Sequence, residues 1–367
     1  MRGSTSRQVT MLGWIDPGEL IPESHPSRRI RPLAEAALRD LEPTFERMYA
    51  QIGRPSIPPE HLLKSCLLMA LYSIRSERQF CERLRYDLLF KWFLGLNVED
   101  EPFDHSSFAK NRARLLEHRV SRRFFEAVVR QARRRHLLSS SHFTVDGTLL
   151  EAWASMKSLR RRDEEDDPGD GNGYTPSNPD VDFKGQRRSN QTHYSPTDPE
   201  ALMARKGMGK ETKMCFSGHV LMENRHGLVV DLELTRASGT SEREAVTLML
   251  KRMRLRTPRL RFTLGADKGY DTHDFLEGCQ ELRVTPQVAR RESCWGSALL
   301  ARLATTPAYQ VSQRKRKRVE EIFGWTKTVG AGRKLRYKGV ARNQLWAEMT
   351  LAAYNLVRMG KLVGAAA

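Results

Sequence analysis

The chain reads Phe-Thr-Val-Asp-Gly-Thr at residues 143–148, so Asp146 interrupts an apolar, β-rich stretch. A second apolar stretch, at residues 260–266, ends at Asp267. A carboxylate inside a predicted central strand is costly unless another group pairs with it. The ends of sheet strands are also where the sites of α/β proteins gather. The two aspartates are therefore candidates for one shared site.

Strands and helices alternate around these two stretches. Three antiparallel strands followed by strand–helix alternation predict an α/β fold, a mixed five-stranded sheet with helices on both faces. This order is typical of ribonuclease H-like folds, in which the first and fourth strands are neighbours, so Asp146 and Asp267 are expected to face each other. The predicted strands are 142–153, 214–222, 228–235, 260–266 and 284–288, and the predicted helices are 241–256, 271–282, 318–329 and 344–363.

The part of the chain before residue 138 has a different pattern. Prolines predict an irregular arm over residues 1–29, and apolar residues at three- and four-residue steps predict an all-helical domain over 30–137. Residues 138–367 then form the α/β domain, interrupted at about 155–212 by a loop-rich insertion that is expected to be disordered or loosely held.

The composition indicates a polyanionic partner. The 367 residues include 62 Lys and Arg against 44 Asp and Glu, a net charge of +18, which favours nucleic acid. A basic surface without a specific ligand is the alternative. No apolar run reaches the ~18 residues that span a bilayer, and no signal pattern opens the chain. The five scattered cysteines argue against a disulfide framework and against a zinc ribbon. We therefore expect a cytoplasmic protein without a membrane partner.

A third carboxylate is available in the helix predicted after the last strand, where Glu320 and Glu321 are adjacent. Clustered carboxylates repel one another, and two divalent ions would relieve that repulsion and bind the attacking and leaving oxygens of a phosphoryl displacement. Magnesium suits such all-oxygen donors. Each residue alone is more often structural, because a strand-end Asp commonly caps a turn. Only the joint placement of Asp146, Asp267 and a helix glutamate favours a metal site.

Residues 145–148, 266–271 and 318–327 resemble the three acidic motifs of bacterial insertion-sequence transposases of the DDE class, in particular those of the insertion-sequence-five type. Further phrases resemble the helical N-terminal domain of the same family. These phrases lie at residues 53–60, 72–79 and 104–112. The resemblance covers about residues 15–362.

The resemblance implies an enzyme that cleaves DNA at insertion-sequence ends and transfers the freed strand to target DNA. Asp146, Asp267 and Glu320 would be both its catalytic and its metal-binding residues, with two Mg²⁺ ions, or Mn²⁺ in their place. The third motif of the family reads Tyr, two residues, Arg, three residues, Glu, six residues, Lys. Arg316 and Lys327 fit this spacing around Glu320, which is therefore preferred over Glu321. The position of the family's Tyr is Gln313 here, a departure from the pattern.

Partners follow from the same resemblance: double-stranded DNA, as terminal inverted repeats and as target, a homodimer on that DNA, and a place at the bacterial nucleoid. Segments 59–73 and 77–85 resemble a helix-turn-helix that could recognise the ends, and an ordinary helical bundle is the alternative. On one ideal helix Arg316, Glu320 and Lys327 would lie near one face. The candidate DNA-binding residues are Arg316, Lys327, Lys268, Tyr270, Lys110, Arg112 and Arg114.

Three other functions remain open from the residues. One is a metal-dependent DNA nuclease that does not join strands. Another is a catalytically silent, sequence-specific DNA-binding protein, against which the intact carboxylates argue. The third is a non-enzymatic RNA-binding protein, although no aromatic stacking motif of that kind is present.

Overall fold

A mixed sheet with β1 at its centre organises the carboxyl-terminal part of the computed structural model, which describes residues 16–49, 56–162, 188–207, 209–291 and 296–364. The strands are β1 (His142–Glu151), β2 (Arg160–Arg161), β3 (His193–Tyr194), β4 (Leu202–Ala204), β5 (Lys213–Glu223), β6 (Val229–Arg236), β7 (Phe262–Ala266) and β8 (Val284–Val288). β1 pairs antiparallel with β5 and parallel with β7. β5 pairs antiparallel with β6, and β7 parallel with β8. The resulting order, β6-β5-β1-β7-β8, confirms the predicted ribonuclease H-like arrangement.

The predicted count of five strands is wrong within the described residues, because β4 adds a sixth strand to the sheet. It pairs with residues 213–215 of β5. β2 and β3 form a separate two-stranded ribbon. All three lie in the stretch that was predicted to be irregular. The Asn190 side chain orders it by accepting the Met203 N–H at 2.8 Å and donating to the Met203 carbonyl at 2.9 Å. Residues 163–187 of the predicted insertion lie outside the described residues.

Helices make up the amino-terminal part. They are α1 (Pro17–Leu20), α2 (Pro26–Arg39), α3 (Glu42–Met48), α4 (Pro59–Leu71), α5 (Glu77–Leu84), α6 (Leu88–Leu94), α7 (His105–Glu117) and α8 (Val120–Arg134). The irregular arm predicted for residues 1–29 is wrong at 17–20 and 26–29, since Pro17 and Pro26 occupy the first turns of helices, where a proline fits. Residues 1–15 of that arm lie outside the described residues.

The remaining helices flank the sheet. They are α9 (Ser241–Arg256), α10 (His273–Glu281), α11 (Ala301–Ala304), α12 (Pro307–Arg316), α13 (Val319–Thr328) and α14 (Val340–Gly364). α14 packs against α2, α4 and α8 on one side and against β6 on the other. One hydrophobic core therefore runs through both parts of the chain, and the domain boundary at residue 138 stays a prediction. None of the described helices is long and apolar enough to cross a bilayer.

Glu77, at the start of α5, ties the helical part to the segment that precedes α14. Its carboxylate accepts hydrogen bonds from Arg112, Arg336 and the Tyr337 hydroxyl, the last at 2.8 Å. The Arg112 guanidinium also lies over the Tyr337 ring, 4.4 Å from its centroid. The Glu77 side chain is only 15% exposed. This carboxylate therefore balances two nearly buried arginines.

Glu77→Ala should lower the free energy of unfolding by about 2–4 kcal/mol, because it leaves two poorly hydrated guanidinium groups without their anion. Urea unfolding followed by circular dichroism measures this change. Glu82→Ala, an exposed position on the same helix, is the matched control and should change stability by less than about 0.5 kcal/mol. Equal effects of the two variants would contradict the assigned role of Glu77.

Candidate active site

The parallel pairing of β1 with β7 brings the two sequence-predicted aspartates together. The paired residues run from His142 opposite Thr263 to Thr144 opposite Gly265. Asp146 and Asp267 each lie two residues after the last of these pairs, so the register places the two aspartates side by side. Burial raises the pKa of Asp146, and the nearby charge of Asp267 adds to this effect.

Asp146 lies in an environment that opposes its ionisation. Partial burial is the main cause that raises its pKa, to about 6, and the charges of Asp267 and Glu242 add to the effect. The Gly147 N–H, which donates to Asp146 Oδ1 at 2.8 Å, and the Arg316 guanidinium act in the opposite direction. A carboxylate with these surroundings favours the arrival of a cation.

The Asp146 side chain shares a face of β1 with residues that contact α12 and α13. His142 Nε2 is 2.7 Å from Ser312 Oγ on α12. Thr148 Oγ1 accepts a hydrogen bond of 2.7 Å from Lys327 Nζ on α13. Because side chains alternate along a strand, Asp146 lies on this same face, between the two contacts.

Arg316, Glu320 and Lys327 do not lie on one helix, so the prediction that they share a helix face is wrong. α12 ends at Arg316, and α13 begins at Val319. The Arg318 side chain holds the turn between them by donating to the carbonyl oxygens of Asn224 and Arg225, at 3.3 and 3.0 Å. This contact fixes the turn against the β5–β6 hairpin, and sequence periodicity could not reveal it.

Arg316 and Lys327 nevertheless bracket the aspartates. A Cβ at Gly265 would lie 3.3 Å from Arg316 Cβ, whereas Lys327 contacts Thr148. Glu320 is exposed in the first turn of α13, in the segment between these two cations. Glu321 points to Arg318 and Arg358, with N–O distances of 3.8 and 3.9 Å.

Gln313, at the position of the family's Tyr, donates to the Gln287 carbonyl and accepts from Arg316 Nε. The residue that departs from the motif thus orients the motif arginine. Its contacts are 2.7 Å to the carbonyl and 2.8 Å to the guanidinium.

The other residues predicted to bind DNA differ in their exposure to solvent and in their contacts. Lys268 and Lys110 are exposed. Tyr270 is 1% exposed, and its ring centroid lies 5.2 Å from that of Phe275. Because the side chain is buried, this position does not favour contact with DNA. The Arg112 guanidinium donates a hydrogen bond to the Glu77 carboxylate. The Arg114 guanidinium lies over the Tyr49 ring, 4.8 Å from its centroid.

Sequence reasoning missed three charged residues beside the aspartates. Glu242, in the first turn of α9, reaches the backbone next to Asp146. Arg290 and Arg291 line an open cleft together with Asp267 and Lys268. No motif marks these residues, and only the packing of α9 and of the segment after β8 brings them here.

The donor set matches a divalent cation in its chemistry. Asp146, Asp267 and Glu320 offer only carboxylate oxygens, the donors that Mg²⁺ prefers, and the repulsion between the aspartates would fall when a cation binds. In the described parts of the chain, no three His, Cys, Asp or Glu side chains converge closely enough to hold an ion as they stand.

Comparison with known families gives two matches along the chain. Residues 16–114 match the family described as Transposase domain (DUF772), and residues 181–356 match the family described as Transposase DDE domain. The second match includes Asp267 and Glu320 and begins after Asp146. No curated protein matches the chain.

Solved transposase structures show only a weak likeness. A piggyBac transposase synaptic complex with hairpin DNA has 10% identity and a TM-score of 0.40, covering 91% of this chain and 75% of that one. A Mos1 transposase paired-end complex with the left transposon end has 12% identity and a TM-score of 0.21, covering 86% and 95%.

The two family matches span both the helical part and most of the sheet, in the order that the sequence motifs predicted. The chain belongs to the DDE transposases of insertion sequences, enzymes that act on DNA.

Asp146→Asn should stabilise the metal-free protein at pH 8 by about 1–2 kcal/mol, because a pKa raised in the folded state destabilises the ionised form. In the wild type this destabilisation begins as the pH rises above the ordinary Asp value of 3.8 and is complete above about 6. The gain should therefore largely vanish at pH 4. Thermal unfolding in EDTA at both pH values measures it. Glu277→Gln, an exposed position on α10, controls for the loss of one charge, and no gain at pH 8 would contradict the assigned environment.

Proposed function

We propose that this transposase recognises insertion-sequence ends and catalyses metal-dependent DNA strand cleavage and strand transfer through Asp146, Asp267 and Glu320. The observation that carries the proposal is the β1–β7 register, which sets Asp146 beside Asp267 on the strand face that contacts α12 and α13. Arg316 and Lys327 border the same face, so cations flank the carboxylates where a DNA phosphate would bind.

In the proposed reaction, water attacks a phosphodiester at the element end, the bond from phosphorus to the 3′ oxygen breaks, and a 3′ hydroxyl is released. That hydroxyl then attacks a target phosphodiester and displaces its 3′ oxygen. Asp146, Asp267 and Glu320 would hold the divalent ions, and Arg316 and Lys327 would orient the phosphates. Two Mg²⁺ ions, or Mn²⁺, would supply Lewis acidity at the attacking and leaving oxygens.

The helical part is the proposed reader of the terminal inverted repeats. α4 and α5 are joined by a short turn, as in a helix-turn-helix. Exposed Lys110 lies on α7, which packs against both helices. We further propose that the enzyme works as a homodimer on double-stranded DNA, because two element ends must be processed together, and that it resides at the nucleoid.

Glu320→Gln should abolish Mg²⁺-dependent cleavage and joining of a DNA fragment that carries the element ends, a loss of about a thousandfold or more, because it removes a carboxylate that holds the metal. Asp146→Asn and Asp267→Asn should do the same, and DNA binding in a gel-shift assay should persist. Glu321→Gln is the matched control, since Glu321 faces Arg318 and Arg358, and it should retain activity.

The outcomes separate the alternative functions. Cleavage without joining would favour a nuclease. DNA binding without any metal-dependent chemistry would favour a silent DNA-binding protein. An active Glu320→Gln together with an inactive Glu321→Gln would exchange the roles of the two glutamates.

Lys110→Ala should weaken DNA binding by about three- to tenfold and lower the slope of log affinity against log salt by about 1, as expected for one lost phosphate contact. Its thermal stability should stay at the wild-type value, because Lys110 is exposed. Arg112→Ala should instead lower stability, because it breaks the contact with Glu77. Titration with labelled end DNA at several salt concentrations, beside thermal unfolding, measures both. An unchanged salt slope in Lys110→Ala would contradict the contact.

A further inference from the structure

Glu242 reaches the aspartates from the opposite face of the sheet. A Cβ at position 147 would lie 2.9 Å from Glu242 Oε1, and a Cβ at position 269 would lie 3.7 Å from Oε2. Gly147 directly follows Asp146, and Gly269 lies two residues after Asp267. The carboxylate of Glu242 therefore fits between the two segments that carry the aspartates, in space that side chains at 147 would fill.

Electrostatic interactions agree with this geometry. Glu242 is exposed as a residue, but partial burial around its carboxylate is the main cause that raises its pKa, and the charge of Asp267 raises it further. The charge of Glu242 in turn contributes to the raised pKa of Asp146. The three carboxylates therefore repel one another, and a cation bound near them would relieve that repulsion.

Two buried polar groups beside this carboxylate have no partner in the described part of the chain. The Tyr270 hydroxyl makes no hydrogen bond, and its side chain is 1% exposed. Burial is the main cause that raises its pKa, and the charges of Glu242, Asp146 and Asp267 add to it. His219 Nδ1 is likewise unpartnered, and it lies 3.1 Å from the point that a Cβ at Gly147 would occupy. A buried polar group without a partner is costly, so both groups are available to hydrogen-bond a ligand or its bound water at this point.

We propose that Glu242 is a fourth carboxylate of the active-site metal centre, contributed by α9 through the gap at Gly147, on the side of the sheet opposite to Glu320. This inference rests on the proposed metal-dependent function. Tyr270 and His219 would contact water bound to the cation. Gly147 would then have a second role besides its hydrogen bond to Asp146, because its missing side chain lets the Glu242 carboxylate approach the aspartates.

A helix-dipole role for Glu242 is the competing explanation, because acidic residues in a first turn stabilise a helix. Glu244 lies in the same first turn and, like Glu242, is exposed, but it is not among the residues that approach Gly147 or Gly269. Glu244→Gln therefore removes the same charge from the same helix end without touching the aspartates, and it serves as the matched control.

The test is Mn²⁺ binding to the full chain without DNA, measured by electron paramagnetic resonance, beside Mg²⁺-dependent cleavage. Glu242→Gln should weaken Mn²⁺ binding by about 10- to 100-fold, the range found for residues that support a metal site. Glu244→Gln should change it by less than about twofold, as for an exposed charge. Gly147→Ala keeps the glutamate but displaces its carboxylate, and it should weaken Mn²⁺ binding as well. If Glu242→Gln fails to fold, Gly147→Ala tests the proposal on its own.

The outcomes separate this inference from the proposed function. If Asp146→Asn weakens Mn²⁺ binding while Glu242→Gln and Gly147→Ala behave like Glu244→Gln, the fourth carboxylate is overturned and the active site stands. If the wild type binds no Mn²⁺ and cleaves no DNA, both proposals fail. Weakened binding in Glu242→Gln and Gly147→Ala, with Glu244→Gln unchanged, supports the inference.

Discussion

The parallel pairing of β1 with β7 is the constraint on which the site depends. It fixes the register that sets Asp146 beside Asp267, and it leaves the even-numbered face of β1 to α12 and α13. A register slip of one residue would turn the aspartate to the other face of the sheet. Phe143 is buried, and its ring centroid lies 4.8 Å from that of Phe262. A slip would move this side chain out of the core, so the contact opposes it.

The site is held in place at a cost in stability. Asp146 is partly buried beside other carboxylates, which raises its pKa, and the missing side chain of Gly147 leaves room for the Glu242 carboxylate. Both features are typical of functional sites, where local destabilisation is compensated by packing elsewhere. Here the compensation comes from a core that α14 extends from the sheet into the helices of the amino-terminal part.

The positive charge of the chain is not one uniform DNA-binding surface. Asp231, 1% exposed, accepts ion pairs from Arg122, Arg252 and Arg256, and Glu77 binds Arg112. The first three arginines join α8 and α9 to β6, and Arg112 joins α7 to α5. Net charge alone therefore indicates the class of partner but not which cations meet it.

The sequence by itself determined the ribonuclease H-like strand order, the positions of most helices and the two aspartates at the predicted strands, because hydrophobic periodicity and short motifs are local signals. The tertiary structure alone decided the turn at Arg318, the added strand β4, the burial of Tyr270 and the approach of Glu242. Each of these depends on contacts between residues far apart in the chain, such as Arg318 with the hairpin carbonyls, and no local pattern encodes such contacts.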